Sequence, residues 1–298
     1  MSFTETIKQE LCALSYETRS LRRAHLAGLA GFGGSVQTDG DSYALKIRTE
    51  SPAIASRVVA LISDLFGMTA TIVAMGKICN ITITDGAEQV LTELGYLKDG
   101  FVRFTVDPFV VHDEECKTAF MAGAFLGGGY VKNPESGYHF EIKTHYRDLS
   151  RDLSDIIAEV GFDTKTVMRK SEYVVYVKQC DTICDMLAHM GAPDAMFELC
   201  NVKIYKDMCN NITRKVNCDT ANINKTVTAA AQHIAAIKKI SSHMGLEALP
   251  ESLEQIARLR LEYPEESLTE LGNKLCPPIS KSGVSVRLKK LTQIAESL

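Results

Sequence analysis

The side chains best suited to contact a polyanion lie near the C-terminus. Residues 280–291 contain four basic residues and no acid. Hydroxyl and guanidinium groups at the start of a helix can hydrogen-bond the base edges of double-stranded DNA, and lysines further along can pair with phosphates. We predict base contacts from Ser280, Lys281, Ser282, Ser285 and Arg287, and phosphate contacts from Lys289 and Lys290.

Short helices must position these residues. Residues 250–264 run from a Pro-Glu start to a proline stop, and Ser267 can cap a second helix with Glu270 completing a capping box. A helix-turn-helix unit consists of a short helix, a tight turn and a longer helix, which is the order predicted here with a basic last helix. The alternative interpretation is a plain three-helix module whose basic face is only solvated. The apolar face expected on the last helix comprises Ile279, Val284, Leu288, Leu291 and Ile294.

A second basic segment precedes these helices. Residues 203–240 contain seven Lys/Arg and two Asp/Glu. Arg214, Lys215 and Lys225 stand beside a run of amide and hydroxyl side chains, a combination that can bind DNA phosphates. The same side chains can equally cap helices and hydrogen-bond a linker to its neighbour. The run comprises Asn217, Asp219, Thr220, Asn222 and Asn224.

The net charge of −4 hides an asymmetry along the chain. Residues 1–199 contain 19 Lys/Arg against 27 Asp/Glu, whereas residues 200–298 contain 14 against 10. The positive potential that a polyanion needs is therefore concentrated in the last third. No apolar run approaches the ~20 residues that span a bilayer, and no signal-like segment opens the sequence, so we expect a cytoplasmic protein with no membrane partner.

The nine cysteines do not follow a metal-binding pattern. They show no C-x-x-C spacing and no clustered histidines, so neither a zinc site nor a disulfide framework is indicated. We expect mostly buried thiols, no metal and no cofactor.

An internal repeat with a period of about 95 residues occupies the first two thirds of the chain. Each copy reads as helix, two strands, helix, two strands, helix, and the copies span about residues 20–97 and 115–193. Gly28 in the first copy matches Gly123 in the second, and Gly34 matches Gly129. The pattern predicts two copies of one α+β unit that pack through their opening helices.

The opening helices are rich in glycine and alanine. Residues 25–34 read HLAGLAGFGG and residues 120–131 read FMAGAFLGGGYV. Small residues let two helix backbones approach closely, which indicates helix pairing. A dinucleotide-binding loop is the rival interpretation, but such a loop follows a strand and this one follows a polar helical segment.

Two such motifs, each heading an αββαββα unit, resemble the LAGLIDADG homing endonucleases. The resemblance implies a pseudo-twofold saddle of eight strands, and an acid at the eighth position of each motif that binds the catalytic metal ion. Here those positions are Gly33 and Gly128, and the sixth positions are Gly31 and Leu126. We therefore predict no catalytic residue. The acids of the nearby turns, expected to be turn formers and not metal ligands, are Asp39, Asp41 and Glu135.

Over nearly its full length the sequence resembles the WhiA family. The resemblance rests on the degenerate repeats, the connector from Asn217 to Thr226 and the segment PISKSGVSVRLKK from Pro278 to Lys290. It implies a nucleoid-associated transcriptional regulator of sporulation in filamentous actinobacteria, and of cell division and chromosome segregation in other Gram-positive bacteria.

The sequence thus predicts an α+β fold, a duplicated LAGLIDADG-like domain over residues 1–199, a basic linker and helix over 200–249, and an all-α helix-turn-helix domain over 250–298. A DNA-binding regulator is the first hypothesis. The alternatives are a scaffold whose first domain binds a ligand or protein, and an active endonuclease, which the missing acids disfavour. We expect weak or no DNA contact by the first domain. We also expect a monomer, because the duplication within one chain already supplies the pseudo-twofold symmetry that a dimer would provide. The cations that could line the saddle are Lys46, Arg48, Lys143, Lys165, Arg169 and Lys178.

Overall fold

The computed structural model describes residues 2–40 and 42–298. Its contacts divide the chain into two compact units, the first ending at Lys206 and the second comprising Asp207–Leu298. Each unit buries a separate hydrophobic core. Within the described residues, no helix is both long enough and apolar enough to cross a membrane.

The first repeat has the expected order of elements. Its central strands alternate, with Leu45 and Ile47 buried against the helices. The four strands form an antiparallel sheet in the order β1-β2-β4-β3. The elements are α2 (Arg19–Gly33), β1 (Gly34–Asp39), β2 (Ser42–Thr49), α3 (Pro52–Phe66), β3 (Thr71–Met75), β4 (Ile78–Ile83) and α4 (Ala87–Glu93), after an unpredicted first helix, α1 (Phe3–Ala13).

The second repeat has the same architecture. Its sheet has the order β7-β8-β10-β9, which is the first sheet's order shifted along the chain. This equivalence confirms the predicted duplication and the LAGLIDADG-like α+β fold. The elements are α5 (Glu114–Gly128), β7 (Gly129–Val131), β8 (Phe140–Thr144), α6 (Arg147–Glu159), β9 (Lys165–Arg169), β10 (Glu172–Val177) and α7 (Cys180–Met190), preceded by the short hairpin β5 (Leu97–Lys98) and β6 (Phe101–Val102).

Helices α2 and α5 pair through their glycines, as the small-residue motifs predict. A Cβ at Gly28 would lie 2.7 Å from the backbone nitrogen of Ala124, and a Cβ at Gly123 would lie 3.0 Å from that of Leu29. Side chains at these positions would therefore hold the helices apart. The dinucleotide-loop interpretation is wrong, because these glycines lie inside helices.

A 52-residue helix, α8 (Pro193–Met244), follows the repeats. Residues 200–249, expected as a linker and a helix, are thus helical through Met244, because neither glycine nor proline occurs between Pro193 and Gly245. The boundary between the two compact units falls inside this helix, at Lys206. The amide and hydroxyl run from Asn217 to Asn224 is helical and exposed, so the interpretation of these residues as helix caps is wrong.

Three helices follow in the second unit: α9 (Glu251–Glu262), α10 (Leu268–Asn273) and α11 (Lys281–Ser297). Ser267 and Glu270 form the predicted capping box at the start of α10. Val284, Leu288 and Leu291 are buried on one face of α11. Ile279 and Ile294 pack against the same core while partly buried, so the predicted apolar face is confirmed.

Candidate nucleic-acid interface

The exposed face of α11 carries most of the predicted contact residues. Ser282, Ser285, Lys289 and Lys290 are all exposed, opposite the buried Val284, Leu288 and Leu291. No carboxylate lies on the helix before Glu296. The face therefore offers hydroxyl donors near its start and ammonium groups further along, which is the distribution that base edges and phosphates require.

Two residues of this face were missed by sequence reasoning. Val286 is 56% exposed on a helix whose other valine, Val284, is fully buried. Gln293, about two turns further on, is also exposed. Helical spacing could have found Val286, because it falls about 160° from Val284 around the helix axis. An exposed branched side chain between hydrogen-bonding groups is suited to contact a thymine methyl group.

Three predicted base-contact residues already have partners within the unit. The hydroxyls of Ser280 and Ser282 lie 2.9 Å apart. Ser280 is the N-cap of α11, where its hydroxyl oxygen accepts the N–H of Gly283 at 3.3 Å. Arg287 is half-buried and donates from its guanidinium to the carbonyl oxygen of Ser252 at 3.4 Å. Ser280 and Arg287 therefore each have a structural role in placing α11, with Arg287 joining it to the start of α9.

The turn between α10 and α11 is held by a close backbone approach. The N–H of Ile279 donates to the carbonyl oxygen of Gly272 at 3.1 Å. A Cβ at Gly272 would overlap the carbonyl oxygen of Ile279 and lie 3.2 Å from a methyl carbon of Val284. Only glycine fits here without movement, so Gly272 sets the angle at which α11 leaves the turn.

The predicted cations of α8 divide into two groups. Arg214 and Lys215 are exposed on a solvated part of the helix, about 15 Å before Lys225 along the helix axis. Lys225 shares a cavity wall with Lys281, the first residue of α11. The structure therefore brings Lys225, and not the other two, to the start of the helix-turn-helix pair.

The positions of the missing catalytic acids are closed by backbone. A Cβ at Gly33 would lie 3.0 Å from the Cα of Gly127, and a Cβ at Gly128 would overlap the carbonyl oxygen of Lys143. The sixth position of the first motif is also filled, because a Cβ at Gly31 would overlap the hydroxyl of Tyr96. That hydroxyl donates to the carbonyl oxygen of Ala27 at 2.7 Å. The positions where the endonuclease motif carries its metal-binding acids therefore lack carboxylates, and backbone atoms and Tyr96 fill the space around them.

The turn acids proposed as turn formers lie at the surface. Asp39 is exposed at the end of β1, and Glu135 is exposed in a short turn whose backbone N–H donates to the side chain of Asn133. Asp41 lies outside the described residues. Neither Asp39 nor Glu135 belongs to a cluster of metal-ligating side chains among the described residues.

The strand cations differ between the two sheets. Lys46 and Arg48 project from the same face of β2 and pair in register with the uncharged Thr82 and Asn80. In the second sheet, carboxylates neutralise the cations: Lys143 contacts Glu172 at 3.2 Å, and Arg169 contacts Glu141 at 3.4 Å. Carboxylates therefore neutralise two of the four candidate cations of the second sheet. The other two, Lys165 at the start of β9 and Lys178 just after β10, are exposed.

Among the described residues, one cluster has donor atoms close enough for a metal ion. The side-chain donors of His112, Asp113 and Cys116 lie within 4.8 Å of one another. Asp113, however, caps α5 by accepting the N–H of Cys116 at 2.7 Å. Burial, the largest cause, raises the pKa of the Cys116 thiol to about 12. The Nε2 of His112 lies 3.0 Å from the other oxygen of Asp113, so both carboxylate oxygens already have partners within the chain.

Comparison with known proteins places this geometry in a family. Three family models match in chain order: the WhiA N-terminal LAGLIDADG-like domain over residues 19–78, the WhiA LAGLIDADG-like domain over 117–209, and the WhiA C-terminal HTH domain over 212–295. The chain belongs to the WhiA family. It thus carries the duplicated LAGLIDADG-like fold together with a helix-turn-helix domain.

Relatives of the WhiA family match over the whole chain. A protein of Clostridium novyi named "Probable cell division protein WhiA" is 40% identical to this chain, and the match covers 100% of this chain and 98% of the relative's length. A protein of the same name in Alkaliphilus metalliredigens is 39% identical, and the match covers 99% of this chain and 98% of that protein's length. The crystal structure of full-length DUF199/WhiA from Thermatoga maritima matches with a TM-score of 0.63 and 26% identity, over 100% of this chain and 99% of that chain.

Proposed function

We propose that this chain is a non-enzymatic, sequence-specific DNA-binding transcriptional regulator that acts in cell division, chromosome segregation or sporulation. The observation that carries the proposal is the exposed face of α11, where hydroxyls, Val286 and two lysines stand together with no acid before Glu296. The helix-turn-helix assignment of residues 212–295 supports it. The name of the Clostridium novyi relative, probable cell division protein WhiA, supports a role in cell division.

Double-stranded DNA is the partner in this proposal, and residues 250–298 make the sequence-reading contacts. In this assignment Ser282, Ser285 and Val286 face base edges, and Lys289 and Lys290 face phosphates. Ser280 and Arg287 place the helix, and Lys281 and Lys225 act near its start. Arg214 and Lys215 add sequence-independent attraction. We place the regulator in the cytoplasm, associated with the nucleoid.

The absence of nuclease activity is part of the proposal. Gly33 and Gly128 supply no metal-binding carboxylate, and Gly127 and Lys143 occupy the space that such groups would need. A monomer fits, because residues 1–199 already contain both halves of the pseudo-twofold.

A ligand- or protein-binding role of the first unit is the second candidate. A cleft of about 890 Å³ lies between the start of α5 and the end of α7, with three consecutive acids, Asp113, Glu114 and Glu115, on its rim. Leu14, Leu21 and Met190 supply an apolar wall. A basic, partly apolar partner would fit this combination, and it would not compete with DNA for α11.

The experiment that tests the proposal is binding of the full chain to genomic DNA fragments across a salt series with Mg²⁺ present, followed by analysis of the products on a gel. We expect intact DNA, selective retention of some fragments, and affinity that falls steeply with salt. Cleaved DNA would overturn the non-enzymatic assignment, and equal retention of all fragments would overturn the sequence-specific one.

A further inference from the structure

A cavity of about 270 Å³ in the second unit joins the basic part of α8 to the start of the helix-turn-helix pair. Its walls come from α8, from the end of α9 and from the first residues of α10 and α11. None of the ten lining residues is acidic. They are Lys225, Thr226, Ala229, Ala230, His233, Arg260, Ser267, Leu268, Thr269 and Lys281.

A buried, incompletely satisfied arginine lies in the wall of this cavity. Arg260 is only 2% exposed. One terminal nitrogen donates to the carbonyl oxygen of Glu266 at 2.7 Å and more weakly to those of Tyr263 and Pro264, but its Nε–H has no partner among the described residues. A buried donor without a partner is costly, and a ligand that accepts its hydrogen would recover that cost.

A second buried nitrogen in the wall is also unsatisfied. The Nδ1 of His233 is buried and has no partner within the described part of the chain. Burial lowers the pKa of His233, and the charge of Arg260 lowers it further. An anion bound beside both groups would oppose this lowering, because its negative charge favours a protonated ring whose Nδ1–H can donate to it.

The remaining polar groups of the cavity favour an anion over a cation. The hydroxyl of Ser267 accepts the N–H of Glu270 and retains its own hydrogen to donate. The ammonium groups of Lys225 and Lys281 stand at the rim, and both residues are exposed. Glu266 lies near Arg260, and although its Oε2 is buried without a partner among the described residues, its Oε1 pairs with Lys274 at 3.1 Å and Glu266 does not line the cavity.

We propose that this cavity binds a phosphate group of the DNA backbone and thereby fixes the register of α11 on the duplex. The inference rests on the proposed function, since it names the contact that positions the same helix. Lys225 and Lys281 share that phosphate, Arg260 and His233 meet it from within, and Ser267 and Thr269 bind it at the start of α10. Lys281 is therefore a positioning contact and not the base contact that the sequence predicts.

Sharing of one phosphate by two lysines gives a specific signature. Neutralising one phosphate contributes about 0.9 to the slope of log K against log salt. Lys225→Gln and Lys281→Gln should each lower the slope by at most that amount, because the other lysine still faces the phosphate, and the double variant should lower it by about 0.9 in total. Over a fourfold rise in salt, the double variant should then lose about 3.5-fold less affinity than the wild type. Both substitutions are on exposed residues, so the fold is retained.

The test uses the full chain with non-specific duplex DNA and with a preferred genomic fragment, and Lys238→Gln is the matched control. Lys238 is exposed on the same helix and does not line the cavity. A total loss of about one slope unit in the double variant on both DNAs, with the preference for the genomic fragment retained, is the expected result. Additive losses of two units in the double variant, or unchanged slopes in all variants, would overturn the assignment.

A free phosphate compound is the other source of the same chemistry, and a second arm distinguishes it. The His233 ring resonance of the full chain is followed by NMR during titration with inorganic phosphate and, separately, chloride. A phosphate-specific shift that Lys225→Gln abolishes, together with unchanged DNA slopes, would mean that the cavity takes a free anion and would overturn the DNA contact. If the wild type binds no DNA, the proposed function fails, and a titration without a shift would then reject the anion site as well.

Discussion

The backbone of Gly272 lies against that of Ile279, with the carbonyl oxygen of Gly272 accepting the N–H of Ile279 at 3.1 Å. A Cβ at Gly272 would overlap the carbonyl oxygen of Ile279. Gly272→Ala should therefore destabilise the helix-turn-helix pair by about 1–3 kcal/mol, the usual cost of overpacking. Urea unfolding of the full chain, with a probe in the second unit, measures the change.

Gly283→Ala is the matched control for this substitution. A Cβ at Gly283 would lie 3.4 Å from the Cδ1 of Ile279, which is an ordinary van der Waals contact. Because alanine costs less entropy than glycine in a helix, this variant should be stabilised by about 0.5–1 kcal/mol. Equal effects of the two substitutions would contradict the role given to Gly272.

Restoring the acids of the LAGLIDADG motifs should not restore a nuclease. Gly128→Asp places a Cβ on the carbonyl oxygen of Lys143, and Gly33→Asp places one against Gly127. The double variant should unfold at lower denaturant concentration than the wild type and should leave supercoiled plasmid intact with Mg²⁺ or Mn²⁺. Metal-dependent cutting by a stable double variant would show that the site has room for two carboxylates and a metal ion.

The two valines of α11 should separate stability from recognition. Val284→Ala removes methyl groups from the core and should cost about 1–3 kcal/mol of unfolding free energy. Val286→Ala removes the same atoms from an exposed position and should leave stability within about 0.5 kcal/mol. On a preferred DNA fragment, Val286→Ala should nonetheless lower affinity, while binding to other sequences stays constant. Loss of affinity on every sequence alike would argue against a base contact by Val286.

Acidification should weaken the pairing of α2 and α5 through His25. This residue is fully buried, and burial, reinforced by the charge of Arg57, lowers the pKa of His25 to about 3. Between pH 6.5 and about 3 the unfolded chain therefore binds a proton that the folded chain does not. The associated stability is present above pH 6.5 and is lost as the pH falls, by up to about 1.4 kcal/mol per pH unit.

The measurement is urea unfolding of the full chain between pH 7 and pH 5. The Nδ1 of His25 lies 3.2 Å from the carbonyl oxygen of Ala119 and 3.1 Å from the hydroxyl of Tyr16. His25→Gln should flatten the dependence of stability on pH. A His25→Gln chain with the wild-type pH slope would assign the acid sensitivity to other groups.

Much of the fold was predictable from the sequence because its periodic patterns are strong. The repeat placed both sets of helices and strands, and the capping box at Ser267 located the start of α10. The ends of helix α8 were harder to predict. Asparagines such as Asn217 and Asn222 are common at helix caps, but here they continue the helix because no glycine or proline interrupts it. Domain boundaries inside that helix remain predictions.

The candidate site was predictable in outline and not in detail. Basic composition identified α11, but side-chain direction decides which residues face solvent. Arg287 lies toward α9, Val286 lies outward, and Arg260 lines a cavity although its sequence position suggests an exposed helix end. These outcomes depend on how three helices pack, which local sequence does not specify.

The central claim is that the exposed face of α11 reads a DNA sequence. The most direct measurement is selection of genomic fragments by the full wild-type chain and by a chain carrying Ser282→Ala, Ser285→Ala and Val286→Ala, with equal unfolding stability as the control. We predict that the wild type enriches fragments sharing a sequence, and that the variant keeps residual salt-dependent affinity while losing that enrichment. Enrichment of the same sequence by both chains would contradict the account.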